Sequence, residues 1–391
     1  MIGILTNVHW YALDALVATT PGGVGNVDTG ALGLPGCPPL YDLPSVTEGS
    51  AVVIEAAWLH SLVQQGVDLP SQVFQPLRAR FDRIIGVEHA NSVQLHLRHE
   101  ILEQLDVLLK NGGIYHDREL YNYDVGVGSA EGNWTSKVQA KQQRHPDVSL
   151  ARIRRCLTCL VSLNPNFRAL VRPLYCRSRA RRLAVTFGER LVSLLPRPAL
   201  GSRPPRLTAH FYGSLTHVQR AEAVRRLKKS RLQWQGGITG VNRQLAGREG
   251  RLIETLAAEE RERMQGDLER EGLIAPPQPK PAYYRSIQES KAVISLVGHG
   301  EICFRMAEAW QSRRILVCQD LSHVDTGYPF RPGENVVFCR PDLSDLVDIL
   351  DDIESNYPRY RDIGEQGYQD WLGWCRNTQE MIAGAFAPVF G

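Results

Sequence analysis

The sequence predicts an α/β protein of two doubly wound domains, and three observations carry that expectation. Residues 290–352 read in order as strand, glycine turn, helix, strand, polar loop, strand and helix, which is half of a doubly wound sheet. The chain has 391 residues, too many for one ordinary domain and enough for two of about 150 to 200 residues each. Between Pro196 and Pro205 four prolines fall in ten residues, which excludes a regular helix or a central strand and puts the boundary there. The expected division is 1–198, 206–356 and a helical tail at 357–391.

Composition narrows the function. With 43% hydrophobic and 22% charged residues, the chain can bury two sizeable cores. A net charge of +3 is nearly neutral at this length and does not force binding to a polyanion. No apolar run approaches the roughly 18 residues of a membrane span, and Met1–Leu5 lacks the basic flank of a signal peptide. No transmembrane segment and a cytoplasmic location are therefore expected. Cys156 and Cys159 form the one C-x-x-C, with no second Cys or His pair at zinc-finger spacing. Reduced cysteines packed on a helix at 151–163, without metal, are the expectation.

In the first domain, Met1–Thr6 reads as an apolar strand leading to His9 at its carboxyl end, where α/β proteins bind ligands. Residues 21–30 are glycine-rich and expected as a long loop; they lack the Lys-Ser/Thr of a P-loop. Ala51–Ala56 and Phe81–Val87 read as further strands, the second running into Glu88 and His89. Residues 101–109 are expected to be helical, because Leu102, Leu105, Leu108 and Leu109 share a face at that period. Tyr115–Asn122 is a polar and aromatic cluster, expected as a solvated helix start or as lining of an acceptor cleft.

In the second domain, Leu207–Tyr212 opens the sheet, 213–216 is expected to turn, and 217–229 to form a helix. Glu254–Glu271 reads as an exposed helix with paired charges, and the Pro-rich 275–281 as a stiff connector. Ala292–Val297 is the next strand. Gly298 and Gly300 then allow close backbone approach at its carboxyl end, and the following helix offers free N–H groups to phosphate. Arg305 adds a fork of donors suited to a diphosphate, while Glu308, one turn on, can accept from two ribose hydroxyls. That layout suits a sugar nucleotide. Arg314–Cys318 and 333–338 read as strands, and 342–350 as a helix capped by Asp342. The tail from Tyr357 to Phe390 is helical by spacing, with Tyr360, Ile363, Tyr368, Trp371, Leu372 and Trp374 as core bulk.

These residues carry a resemblance. Ser290-Lys291, an apolar strand, Gly298-x-Gly300, Phe304-Arg305-x-x-Glu308-Ala309, a strand, Gly333-x-Asn335-Val336-Val337-Phe338 and Asp342-Leu343-x-Asp345-Leu346 resemble the donor half of GT-B glycosyltransferases. The exostosin-like group and related bacterial enzymes are the nearest in pattern. The resemblance covers 283–352, and more loosely 205–352. It implies two Rossmann-like domains facing a central cleft, with the tail crossing back onto the first. It also implies transfer of a sugar from a nucleoside-diphosphate sugar, a co-substrate needing no further cofactor, to a hydroxyl of a glycan or lipid-linked sugar. Arg305 would face the diphosphate and Glu308 the ribose; Gly213, Ser214, Arg220, Gly298, His299, Gly300 and Phe304 would complete the donor side. Trp310 and Ser312-Arg313-Arg314 depart from the family pattern, which has an Ala-Gly pair there.

The acceptor side stays open. An inverting transferase needs a base for the acceptor hydroxyl, and His9, Asp28, Glu88 and His89 compete for that role; Asp28 could instead shape a turn. Residues 141–190 hold twelve Lys or Arg against two acids, and 203–251 hold eleven against two. Such segments are solvated helix surfaces or contacts to an acidic acceptor, so a DNA glycosyltransferase acting on a hydroxymethylated base is an alternative. A non-catalytic nucleotide- or polyanion-binding protein on the same fold is a third.

Overall fold

The computed structural model describes residues 1–6, 11–20, 22–88, 95, 97–126, 136–141, 145–157, 160, 163–171, 204–246 and 253–390. His9, His89, Cys159 and most of the proline-rich boundary lie outside these residues.

The first domain carries β1 (Ile2–Leu5), β2 (Val24–Val27), β3 (Ser45–Val46), β4 (Ala51–Glu55), β5 (Ile84–Glu88) and β6 (Val107–Lys110). After them come β7 (Ile114–Tyr115), β8 (Tyr123–Gly126), β9 (Ser136–Ala140) and β10 (Ile153–Arg155). Seven of these form a parallel sheet in the order β10-β6-β5-β4-β1-β2-β3. Its central strands are apolar up to their last residues, Glu55, Glu88 and Lys110, because both faces are covered. Val52 and Ile54 enter one core while Ala51 and Val53 enter the other, as the two-residue period of a strand requires.

The second domain carries β11 (Leu207–His217), β12 (Trp234–Ala246), β13 (Ile253–Thr255), β14 (Ser290–Ser295), β15 (Ile315–Gln319), β16 (Val324–Asp325) and β17 (Val337–Cys339). Six of these strands run β13-β12-β11-β14-β15-β17, parallel except for β13. In each sheet the winding reverses direction once, between β1 and β4 and between β11 and β14. Doubly wound proteins bind ligands at the carboxyl ends of strands flanking such a reversal. Here those ends face each other: β7 follows the carboxyl end of β6, β16 follows that of β15, and the two pair antiparallel across the domains. The ring of Tyr115 stacks on His323 at 6.0 Å, and Arg155 Nε lies 3.0 Å from Asp325 Oδ1. Gly327, at φ 70°, lies flush against the Arg155 guanidinium, where a Cβ would come within 2.1 Å of Nη1.

The tail forms two helices, Tyr357–Arg376 and Thr378–Phe390. The first packs closely on the second domain at Gly367, where a Cβ would lie 2.5 Å from Trp310 Cδ1. Trp310 is fully buried, stacks on Tyr328 with centroids 4.2 Å apart, and donates from Nε1 to Asn335 O at 3.3 Å. Its bulk thus fills the space that Gly367 leaves. The second helix crosses to the first domain, where Ile382, Ala385 and Phe386 join Leu13, Leu16 and Phe167 in one core. Asn164 Nδ2 ties the crossing point by donating to Thr378 Oγ1 at 2.8 Å.

Several elements differ from expectation. The glycine-rich 22–30 segment is not a loop throughout, since Val24–Val27 is a buried strand with hydrogen-bonded neighbours on both sides. Helix at 101–109 shrinks to His99–Leu102, and Val107–Lys110 is a strand. A fully buried parallel strand is a continuous apolar run, and leucines in such a run fit either period. Cys156 follows an edge strand, Ile153–Arg155, and not a helix turn. Strand β11 runs through 213–216 to His217, with irregular register after Gly213 and Leu215. The helix expected at 342 begins at Leu346; Asp342 Oδ1 instead accepts from Ser344 N at 3.0 Å across a turn in which Leu343 has φ 61°. Tyr115 and Tyr121 are buried at the domain junction, not on a solvated helix start.

Candidate active site

The second sheet's reversal point gathers two guanidinium groups. Helix Gln219–Lys229 starts just after β11, which tucks Arg220 of its first turn beneath the carboxyl ends of β11 and β14. There it donates from Nε to Val297 O (2.8 Å), from Nη1 to Ser214 O (3.0 Å), and from Nη2 to Leu296 O (3.1 Å) and Cys303 Sγ (3.5 Å). Arg305, in the first turn of helix Phe304–Gln311, reaches the same place and donates from Nη2 to Tyr212 O. Gly213 lies between the two: a Cβ there would be 3.0 Å from Arg305 Nη2 and 3.3 Å from Arg220 Nη1. Gly298 is confined likewise, 2.7 Å from Arg220 Nη2 and 3.0 Å from Thr216 Oγ1 by the same measure. A side chain at Gly298 would displace the hydrogen-bonded Arg220 guanidinium, whereas one at Gly213 would press on both cations by a few tenths of an ångström.

The partners of these two cations are carbonyl oxygens and a thiol. Burial, together with the neighbouring Arg305, pushes Arg220 down to about 10. Arg305 Nε and Nη1 are buried without a hydrogen-bond partner, as is Thr216 Oγ1. Buried donors of this kind cost free energy until an acceptor arrives, and two adjacent cations make that acceptor an anion. The histidines here do not add charge: burial, with Arg305 beside one and Arg220 beside the other, pushes His210 and His217 each down to about 3.

These two rings set a measurable pH dependence. The unfolded chain takes up a proton at each near 6.5, whereas the folded protein does so only near 3. Stability should be unaffected above pH 7 and fall as pH drops below 6.5, by about 1.4 kcal/mol per pH unit for each ring until the folded value is reached. Denaturant unfolding between pH 7 and 4 reads this slope, and His210→Leu should flatten it by one proton. An unchanged slope in that variant would mean that His210 titrates normally.

Glu308, one turn beyond Arg305, accepts from Tyr283 OH at 2.6 Å and from Tyr284 OH at 3.4 Å. Ser214 contributes its carbonyl to Arg220, and Gly300 O accepts from Gly298 N at 2.9 Å. His299 Nε2 lies 2.9 Å from Gln244 O on β12, and Phe304 is 41% exposed. Sequence reasoning missed Thr216, His210, Tyr283, Tyr284 and Gln319. Gln319 closes the floor of the site, accepting from Val297 N at 2.9 Å and donating to Gln219 and Pro341 O. Adjacent tyrosines in a helix that starts beside Pro279 and Pro281 were the one local signal available.

Across the cleft, Glu88 ends β5 and is buried with Lys110 of β6, Nζ to Oε2 3.3 Å. Asp28 follows β2, and its Oδ1 accepts from Ala31 N at 3.0 Å, the turn-shaping role that competed with a catalytic one. The basic face of helix Gln219–Lys229 is internally paired: Arg225 with Glu271 at 2.6 Å, Arg226 with Glu222 at 2.8 Å, and Lys228 with Glu271 O at 2.5 Å. Among the described residues, no three His, Cys, Asp or Glu gather as a metal cage. Among the described residues, no helix is long and apolar enough to cross a membrane.

Two Rossmann-like sheets with facing carboxyl ends and a terminal helix returned to the first domain make up the GT-B architecture. No family model and no curated protein matches the chain. Among solved structures, it is similar to Anabaena HepE in complex with UDP-glucose: 9% identity, 99% of each chain, TM-score 0.46. It is also similar to the DNA-modifying enzyme β-glucosyltransferase: 12% identity over 99% of this chain and 98% of that one, TM-score 0.45. A third likeness is to TarM, at 10% identity and TM-score 0.43, where 86% of this chain spans 54% of TarM.

Proposed function

We propose that the protein is a glycosyltransferase that moves a sugar from a nucleoside-diphosphate sugar to an acceptor hydroxyl. The observation that carries this is the pair of guanidiniums, on buried Arg220 and half-buried Arg305, meeting at Gly213 on the sheet's reversal point with Nε and Nη1 of Arg305 still unpartnered. Arg305 compensates charge on the departing diphosphate, which grows as the glycosidic bond breaks. Arg220, already committed to three carbonyls, holds the ends of β11 and β14 in place and supplies field. Glu308 keeps lone pairs for the ribose hydroxyls, and Gly298 and Gly300 admit the phosphates to the backbone.

The first domain faces this site and takes the acceptor. Its base is drawn from His9, Asp28, Glu88 and His89; the Lys110 partner and the turn-shaping bond from Ala31 weigh against Glu88 and Asp28. A glycan or lipid-linked sugar is the acceptor we favour over a hydroxymethylated base in DNA, because Arg225 and Arg226 of helix Gln219–Lys229 are paired with Glu271 and Glu222; the other basic segment, 141–190, lies mostly outside the described residues. Titration with UDP, GDP and ADP, followed by turnover assays with their sugar conjugates, tests the reading. At least one nucleoside diphosphate should bind, and its sugar conjugate should be consumed. Absence of binding by all three would overturn the assignment, and salt-sensitive retention of duplex DNA would move the acceptor to DNA.

A further inference from the structure

Arg305 and Glu308 stand three residues apart on one helix, a spacing at which side chains are neighbours and opposite charges pair. In this protein their side chains are held apart. Arg305 is drawn toward Tyr212 O, whereas both carboxylate oxygens of Glu308 accept from tyrosine hydroxyls, Oε2 from Tyr283 and Oε1 from Tyr284. The Tyr283 hydroxyl stands between the two charges, donating to the carboxylate at 2.6 Å and within hydrogen-bonding reach of the Arg305 guanidinium. Its ring is fixed by His210 at 5.2 Å and by Tyr284, edge to face, at 5.5 Å.

We propose that Tyr283, assisted by Tyr284, is a positioning residue that keeps Glu308 off Arg305, so that the arginine's charge remains available to a diphosphate. This rests on the nucleotide-sugar reading above. The Tyr283 hydroxyl, 2.6 Å from Oε2, occupies the carboxylate while the guanidinium is engaged at Tyr212 O, so the pair that the spacing allows is not made. Without the Tyr283 hydroxyl, Glu308 keeps the 3.4 Å bond from Tyr284, and its Oε2 is released to turn to the guanidinium one turn away, where the site neutralises itself. Glu308 thereby serves the ribose without cancelling the phosphate site, although the two duties lie one helical turn apart.

The test uses the full chain and inorganic pyrophosphate, which has no ribose and so reads Arg305 without the other duty of Glu308. Tyr283→Phe keeps the ring and should weaken pyrophosphate binding about tenfold. Tyr284→Phe should act in the same direction and less, its bond being the longer; it also serves if Tyr283→Phe lowers the melting temperature. The deciding variant is Tyr283→Phe with Glu308→Gln, which should restore affinity to within about twofold of Glu308→Gln alone. A merely structural tyrosine would leave that double variant as weak as Tyr283→Phe. Wild-type affinity in Tyr283→Phe, failed rescue, or UDP binding without pyrophosphate binding overturns the inference alone. Failure of the wild type to bind any nucleoside diphosphate or pyrophosphate overturns it together with the proposed function.

Discussion

Replacing Arg305 with Ala should weaken nucleoside-diphosphate binding about 100-fold, or about 2.7 kcal/mol, with little change in thermal stability. The size follows from the donors it removes: Nε and Nη1 are buried, unpartnered and beside a second cation, so an anion gains charge-assisted bonds that water has not already made. The small stability effect follows from how little of the fold uses the side chain. It donates to Tyr212 O, lies beside the Tyr283 hydroxyl and sits 5.2 Å over the Phe211 ring, on a residue that is only half-buried. Arg305→Lys should fall between, since an ammonium restores the charge without the fork. Calorimetric titration of the three proteins with the preferred nucleoside diphosphate decides the matter, and equal affinities would remove Arg305 from the site.

Lys110→Met should cost the first domain about 3 kcal/mol, because it removes the ammonium 3.3 Å from the buried Glu88 carboxylate. Both groups lie on adjacent central strands at their carboxyl ends, where solvent cannot compensate. Adding Glu88→Gln to Lys110→Met should recover most of the loss, since no uncompensated charge then remains. The same pair of proteins separates structure from chemistry at Glu88. Were Glu88 the acceptor base, Glu88→Gln would abolish sugar transfer at full stability; as half of a structural pair, it should keep transfer and lose stability. Denaturant midpoints alongside turnover rates give both readouts, and an unshifted midpoint in Lys110→Met would mean that the ion pair contributes nothing.

Parts of this architecture were legible in the residues and parts were not, for reasons that can be named. The 290–319 segment was readable because strand, glycines and helix start follow one another locally, and each signal is complete within a few residues. β2 was not, because Val-Gly-Asn-Val becomes a strand only between two neighbours; at Gly25 a Cβ would meet Val46 Cγ1 at 2.5 Å and Pro44 O at 2.7 Å. β6 was misread because burial on both faces erases the period that distinguishes strand from helix. At the site, the Arg305 and Glu308 spacing could be seen in the chain. The commitment of Arg220 to Leu296, Val297 and Cys303, and the arrival of Tyr283 over Glu308, depend on packing between segments 76 to 83 and 25 residues apart. No local pattern encodes such meetings.

The returned helix at Thr378–Phe390 has a consequence for biosynthesis. Phe386 and Ile382 belong to the core of a domain whose other strands leave the ribosome more than 200 residues earlier. Domains ordinarily mature in order of synthesis. Here the first must wait, its apolar socket around Leu13, Leu16 and Phe167 open to water or to a chaperone, until the entire second domain has been translated and its final segment can dock.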